Sequence, residues 1–253
     1  MTLAERFAIS RAVAQGRDHR RLHRDGQDGA AVAVSEDGLG LAVTDGCGSA
    51  RHSEVGARLG AAWLAENAPA HLAGFPTGDE GAQALERGLV TYLGAIATGI
   101  TADPRRRDAI VYDLLLFSFV CGVVTDERVV VVGRGDGLVV HDGVLHVLDP
   151  GPGNTPSYVA YELSADEALR KDRTRVVVDA KTHASTSLLL ATDGLLPLAS
   201  DPPALASLVD RARGAKTSAW LARALGQLTD RGPVRDDVAA ISLVPAQREE
   251  AAS

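Results

Sequence analysis

Apolar positions along the chain fall into two kinds of run. Short continuous stretches of aliphatic and β-branched residues read as strands, at 30–34, 39–44, 112–124, 128–132, 137–141, 144–148, 175–178, 187–192 and 238–244. Longer segments with apolar positions at helical spacing read as helices, at 53–67, 80–98, 203–213 and 216–230. Ser53-Glu54, Asp79-Glu80 and Asp201 ahead of Pro202-Pro203 are suitable helix starts. Asp37-Gly38 and Asp142-Gly143 each separate two apolar runs and predict tight hairpins. Paired strands, two helices, a block of strands, two helices and a last strand describe an α+β fold rather than an alternating doubly wound sheet.

Two of the apolar runs end alike. Leu39-Gly-Leu-Ala-Val-Thr44 and Leu188-Leu-Leu-Ala-Thr192 both stop in Thr-Asp-Gly, placing Asp45 and Asp193 where a buried strand meets solvent. Neither is followed by a second apolar run at hairpin distance, so a plain turn explains them less well than it explains Asp37-Gly38. Asp28, Asp136 and Asp236-Asp237 also sit at strand edges. Carboxylates gathered in one place repel one another and lose hydration, which only cations relieve. Hard oxygen donors of this kind suit magnesium or manganese, and Asp residues shared between two ions are the pattern of a two-metal hydrolytic site.

In order and spacing, Gly26-Gln27-Asp28, Thr44-Asp45-Gly46-Cys47-Gly48-Ser49, Gly135-Asp136-Gly137, Ala191-Thr192-Asp193-Gly194-Leu195 and Arg235-Asp236-Asp237-Val238 resemble the motifs of the metal-dependent serine/threonine protein phosphatases of the PPM (type 2C) family, bacterial branch. His19 ahead of Gln27-Asp28 belongs to the same likeness, which runs from about residue 17 to 244. The resemblance implies a four-layer α-β-β-α sandwich, two antiparallel sheets flanked by helices. It implies two Mg²⁺ or Mn²⁺ ions and a third, weaker one, with a bridging water attacking the phosphorus of phosphoserine or phosphothreonine. Asp45 matches the bridging ligand, the Gly46 carbonyl a ligand of the second ion, Asp193 and Asp236 the other carboxylates of the first. Asp28 matches an acid that orients water, and Asp136 an aspartate that holds the third ion. A phosphorylated protein substrate and a cognate Ser/Thr kinase are the partners this implies.

Three positions depart from the commoner pattern. Gln27 stands where many members have an acid, His23 where they have a phosphate-binding arginine, and Cys47 where animal enzymes have a histidine. His19, His23 and Arg24 are the candidate phosphate anchors, and Arg17, Arg20 and Arg21 could equally provide the anchor. The same departures keep a second class open, a regulatory or binding module on this fold with weak or no turnover.

Composition narrows the partners. The chain has 253 residues and a formal charge of −7, and its densest basic run, residues 17–24, has no aromatic residue to stack bases, which argues against nucleic acid. Arg105-Arg106-Arg107 reads as a solvated loop. Gly133–Gly137 matches neither a P-loop nor a dinucleotide fingerprint. Gly151-Pro-Gly-Asn-Thr-Pro156 reads as a turn-rich loop. The most apolar segment, 114–124, is shorter than the about 20 residues a membrane span needs. Cys47 and Cys121 have no metal or disulfide spacing, Cys121 lies in an apolar run, and both fit a reducing cytoplasm. No linker divides the chain, so a single domain over 1–253 is expected.

Overall fold

The computed structural model describes residues 2–151, 156–164, 166–170, 173–215 and 217–246. In chain order its elements are α1 (Leu3–Arg6), β1 (Phe7–Ala14), α2 (Arg17–Arg21), β2 (Gly29–Ser35), β3 (Gly38–Gly46), α3 (Ser53–Ala68), α4 (Gly78–Ile100), α5 (Pro104–Leu114), β4 (Phe117–Val124), β5 (Arg128–Arg134), β6 (Gly137–His141) and β7 (Val144–Leu148). There follow a 3₁₀ turn at Val159–Leu163, β8 (Arg175–Lys181), β9 (Leu188–Ala191), α6 (Leu196–Ala199), α7 (Pro202–Gly214), α8 (Ala219–Arg231) and β10 (Val238–Pro245). One sheet has the order β1-β10-β9-β6-β7 and the other β2-β3-β4-β5-β8, and every paired neighbour is antiparallel.

Strand alternation builds the layers. Leu39, Leu41 and Val43 of β3, Val129 and Val131 of β5, Leu188 and Leu190 of β9, and Ala239, Ile241 and Leu243 of β10 share one core between the sheets. The alternate residues face outward: Ala42, Cys121, Val130 and Val132 pack with Leu64, Leu85 and Leu89 of α3 and α4. On the other side Leu138, Val140, Leu189 and Ala240 pack with Leu208, Leu221 and Leu225 of α7 and α8. Each fully buried Leu or Val contributes about 1.5 to 3 kcal/mol. Because both faces of β3, β4, β5, β9 and β10 are covered, those strands read as unbroken apolar runs, whereas the edge strand β7 is apolar yet largely exposed. The fold is the α+β sandwich, two antiparallel sheets flanked by helices.

Several expectations are corrected. Residues 112–124 do not form one strand: α5 runs to Leu114, and the chain switches to β4 at Phe117. Arg105–Arg107 lie in the first turn of α5 rather than in a loop, since the Asp103 carboxylate accepts the Arg105 N–H at 2.9 Å and Pro104 opens the helix. An unforeseen strand, β1, pairs with β10 along its whole length, Phe7 opposite Pro245 to Ala14 opposite Val238. Both hairpins are present, the second with Asp142 at φ 49°. Residues 152–155 of the turn-rich loop and Lys216, the expected start of the last helix, lie outside the described residues.

Candidate active site

Register places the acidic strand ends on one edge of the sandwich. In the first sheet Leu138, Ala191 and Ala240 lie in one row across β6, β9 and β10. Asp136, Asp193 and Asp236-Asp237 are therefore just beyond that row. In the second sheet Gly29, Thr44, Phe119 and Arg134 form the corresponding row across β2 to β5, with Asp28 and Asp45 just beyond it. Gly135-Asp136 carries the chain from one sheet to the other. Gly135 has φ +87°, and a Cβ there would meet the Ser118 side chain at 2.5 Å, so this crossing requires glycine. Gly194, after the second Thr-Asp, packs so closely that a Cβ would lie 1.9 Å from the Asp237 carbonyl oxygen.

The edge encloses a cavity of about 260 Å³ lined by Asp45, Asp136, Asp193 and Asp236, with His19 and Cys47 on its rim. One oxygen from each of Asp45, Asp136 and Asp193 lies within 4.8 Å of the other two, and a ring nitrogen of His19 and one oxygen each of Asp236 and Asp237 form a second such group. Burial raises the pKa of Asp28 and Asp45 well above the usual carboxylate range, and neighbouring carboxylates add to it. Asp136 is raised by burial and by Asp236. Asp193, desolvated and facing Asp136 and Asp236, is pushed up to about 7. A cluster so poised is short of positive charge. Among the described residues, buried Asp136 Oδ1 has no hydrogen-bond partner. An all-oxygen donor set with an orphaned carboxylate oxygen fits hard divalent cations such as Mg²⁺ or Mn²⁺.

The two Thr-Asp-Gly ends use their threonines differently. Thr44 Oγ1 donates to the Ala57 carbonyl at 2.8 Å, fastening β3 to α3. Thr192 Oγ1 donates to Asp28 Oδ2 at 2.6 Å and joins the two sheets across the site. Asp237 is the keystone of the rim: its carboxylate accepts the Gly16 and Gln27 N–H groups at 2.7 and 2.6 Å and pairs with His19 Nδ1 at 2.7 Å. That leaves His19 Nε2 available to the cavity.

The other sequence candidates sit further back. His23 is exposed after α2 with φ 52° and does not line the cavity. Arg24 donates to the Gly48 and Ala50 carbonyls at 3.4 and 3.3 Å, bracing the loop that forms one wall. Gln27 Nε2 donates to Ser53 Oγ at 2.7 Å while its buried Oε1 is unpartnered. The Cys47 thiol sits 3.2 Å from Ser49 Oγ; burial pushes its pKa up, but hydrogen bonding to Ser49 and Tyr158 outweighs this and lowers it.

Asp237, Thr192, Tyr158 and Arg134 were not singled out from the sequence for these roles. Arg134, fully buried, lies 3.3 Å from Glu86 of α4 and 3.1 Å from Glu162 of the 3₁₀ turn, securing the chain beside Tyr158. A lone Arg at the end of a valine run gives no local sign of partners that are distant in sequence. Thr192 was signalled by the repeated Thr-Asp-Gly, and Asp237 by the doubled acid.

Solved structures share this architecture. A bacterial serine phosphatase superposes with a TM-score of 0.62 at 16% identity, covering 96% of this chain and 99% of the other. The serine/threonine phosphatase Stp1 from Staphylococcus aureus gives 0.60 at 15% identity, covering 98% of both chains. The catalytic domain of the serine/threonine protein phosphatase PstP, solved with two manganese ions, gives 0.58 at 19% identity, covering 96% and 99%. No curated protein sequence matches. The protein phosphatase 2C profile matches residues 15–228, most of the chain and every acidic strand end but the last, and on that match the chain belongs to the protein phosphatase 2C family.

Proposed function

We propose that this chain hydrolyses phosphoserine and phosphothreonine in proteins, using two Mg²⁺ or Mn²⁺ ions held in the carboxylate cavity. The observation that carries the reading is the meeting of Asp45 from one sheet with Asp136 and Asp193 from the edge of the other, their oxygens within 4.8 Å, around a carboxylate oxygen without a partner. Asp45 would bridge the ions, the Gly46 carbonyl would serve the second, and Asp193 and Asp236 would complete the first. Asp136 would hold a third, weaker ion. Bound there, such ions lower the pKa of water towards neutrality and stabilise charge on phosphoryl oxygens.

The chain's own residues then position the reactants. Asp28, fixed by Thr192, is placed beside Asp45 to orient a water and accept its proton. His19, held through Nδ1 by Asp237, presents Nε2 to a phosphoryl oxygen. Phosphoryl transfer asks mainly for positioning and electrostatics, so no nucleophilic side chain is required. A phosphorylated protein is the natural substrate and its kinase the natural counterpart. We take the whole sandwich as one catalytic unit, since ligands come from both sheets. Among the described residues no helix is long and apolar enough to cross a membrane, and a cytoplasmic setting remains part of the proposal.

Gln27 supports a second reading, a binding module with weak turnover, because its amide nitrogen is committed to Ser53. Phosphate release from a phosphothreonine peptide separates the two. The phosphatase reading expects turnover with Mn²⁺ that chelator abolishes and that Asp193→Ala lowers by about 100-fold or more, the scale on which preorganised electrostatic groups act. Metal binding with no turnover would favour the module.

A further inference from the structure

Beside the carboxylate cavity lies a second one of about 350 Å³, lined by Arg17, Asp18, Arg21 and Arg235. The same two chain segments form both. Helix α2 turns His19 towards the carboxylates and Arg17, Asp18 and Arg21 towards the second cavity. Likewise, Asp236 and Asp237 line the first cavity and Arg235 the second. The segments are stitched together: the Asp18 N–H donates to the Arg235 carbonyl at 3.3 Å, Arg17 Nη2 to the Gly232 carbonyl at 3.0 Å, and His19 pairs with Asp237. The arginines thus stand on a braced floor rather than on a loose loop.

Three guanidiniums face a single carboxylate there. Arg20, in the same helix, pairs with Asp230 at 2.7 Å. Among the described residues no ion pair involves Arg17, Arg21 or Arg235. Asp18 is the one acid in the lining, against three guanidiniums. In a chain of net charge −7 this is a localised positive site, and guanidinium matches carboxylate and phosphate geometry. Among the described residues the lining has no aromatic side chain on which a nucleic-acid base would stack.

We propose that this cavity receives an anionic side chain of the substrate protein, a carboxylate or a second phosphate, close in sequence to the phosphoresidue being hydrolysed. The inference rests on the phosphatase reading of the first cavity. Arg235 and Asp236 are consecutive, so the cavities are neighbours. The anionic group therefore belongs within a few residues of the scissile phosphate; offsets of two to four span roughly 7 to 14 Å at about 3.4 Å per extended residue. The substrate class is therefore acidic or multiply phosphorylated segments. Arg21 and Arg235 are exposed, so the preference is modest and falls with salt.

The test compares kcat/KM for three phosphothreonine peptides of equal length: neutral flanks, glutamates at offsets two to four, and a non-hydrolysable phosphonate residue at those offsets. The proposal expects the anionic peptides to be favoured about fivefold to tenfold at low salt, mainly through KM, and the preference to shrink at high salt. Arg21→Glu and Arg235→Glu should each remove it. Turnover of p-nitrophenyl phosphate by Arg21→Glu should be unchanged. A larger effect with glutamate or with phosphonate identifies the source of the anion. Equal turnover of all three peptides by the wild type, or a preference that survives both variants, would overturn the proposal while leaving the phosphatase reading intact. Absence of p-nitrophenyl phosphate turnover by the wild type would overturn the phosphatase reading and this inference with it.

Discussion

Replacing Asp193 by Asn should stabilise the protein when divalent ions are removed. Asp193 titrates at about 7 in the fold against an ordinary 3.8, first because burial strips its hydration and then because Asp136 and Asp236 face it. A carboxylate whose folded pKa is raised favours the fold while protonated. That contribution is fully present below about pH 4 and is lost as the pH rises through 7. At about 1.4 kcal/mol per pH unit, the loss at pH 8 is about 4 kcal/mol as an upper bound, and relaxation with water entry brings it to about 2 kcal/mol. Asn keeps an oxygen to accept the Gly194 N–H and removes the charge. Urea denaturation in chelator at pH 8 should therefore show Asp193→Asn more stable by about 2 kcal/mol, about 4 to 8 °C in Tm for a chain of this size. At pH 5 less than half of that gain should remain. Mn²⁺ should reverse the order, since only the wild type keeps the full ligand set to gain from binding. A variant less stable than wild type at pH 8 in chelator, or a gain equal at both pH values, would show that the Asp193 charge is not what destabilises the metal-free fold.

Asp237→Asn should act in the opposite direction. It weakens a buried carboxylate that holds two backbone N–H groups and His19, and should cost about 2 to 4 kcal/mol in urea denaturation with or without metal. Gly194→Ala would drive a methyl group into the Asp237 carbonyl. A loss of about 2 to 3 kcal/mol with weakened Mn²⁺ binding is expected, checked by thermal melting and calorimetry. The thiols should separate in reactivity, since hydrogen bonding lowers the Cys47 pKa whereas full burial raises that of Cys121. Iodoacetamide should label Cys47 first, as read by peptide mass spectrometry.

What the sequence revealed follows from how local each signal is. Strands buried on both faces appear as unbroken apolar runs and the helices show helical spacing, so most elements were legible within a few residues; of the expected caps Asp201 accepts the Ala204 N–H, whereas α4 is capped by Thr77 and α3 has no side-chain cap. The exceptions have physical causes. Ile110-Val111-Tyr112 and Leu114-Leu115-Leu116 continue without Gly or Pro into Phe117, so nothing marks the change from helix to strand. Strand β1 carries Ser10 and Arg11 among its apolar residues and is recognisable only from its partner at the other end of the chain. At the site, the carboxylates were legible because each ends or begins an apolar run. Their supporting contacts, Thr192 on Asp28, Asp237 on His19 and Arg134 between two glutamates, join residues far apart in sequence. The basic run 17–24 could not be divided in advance: folding turns His19 to one cavity, Arg17 and Arg21 to another, and Arg20 and Arg24 to partners of their own.

Calorimetric titration of Mn²⁺ at pH 7.5 asks whether aspartates from both sheets act as one cation site. Wild type should bind two ions tightly, and Asp45→Asn should lose tight binding of both while its circular dichroism stays unchanged. Tight binding of two ions by a folded Asp45→Asn variant would show that Asp45 is not part of the site.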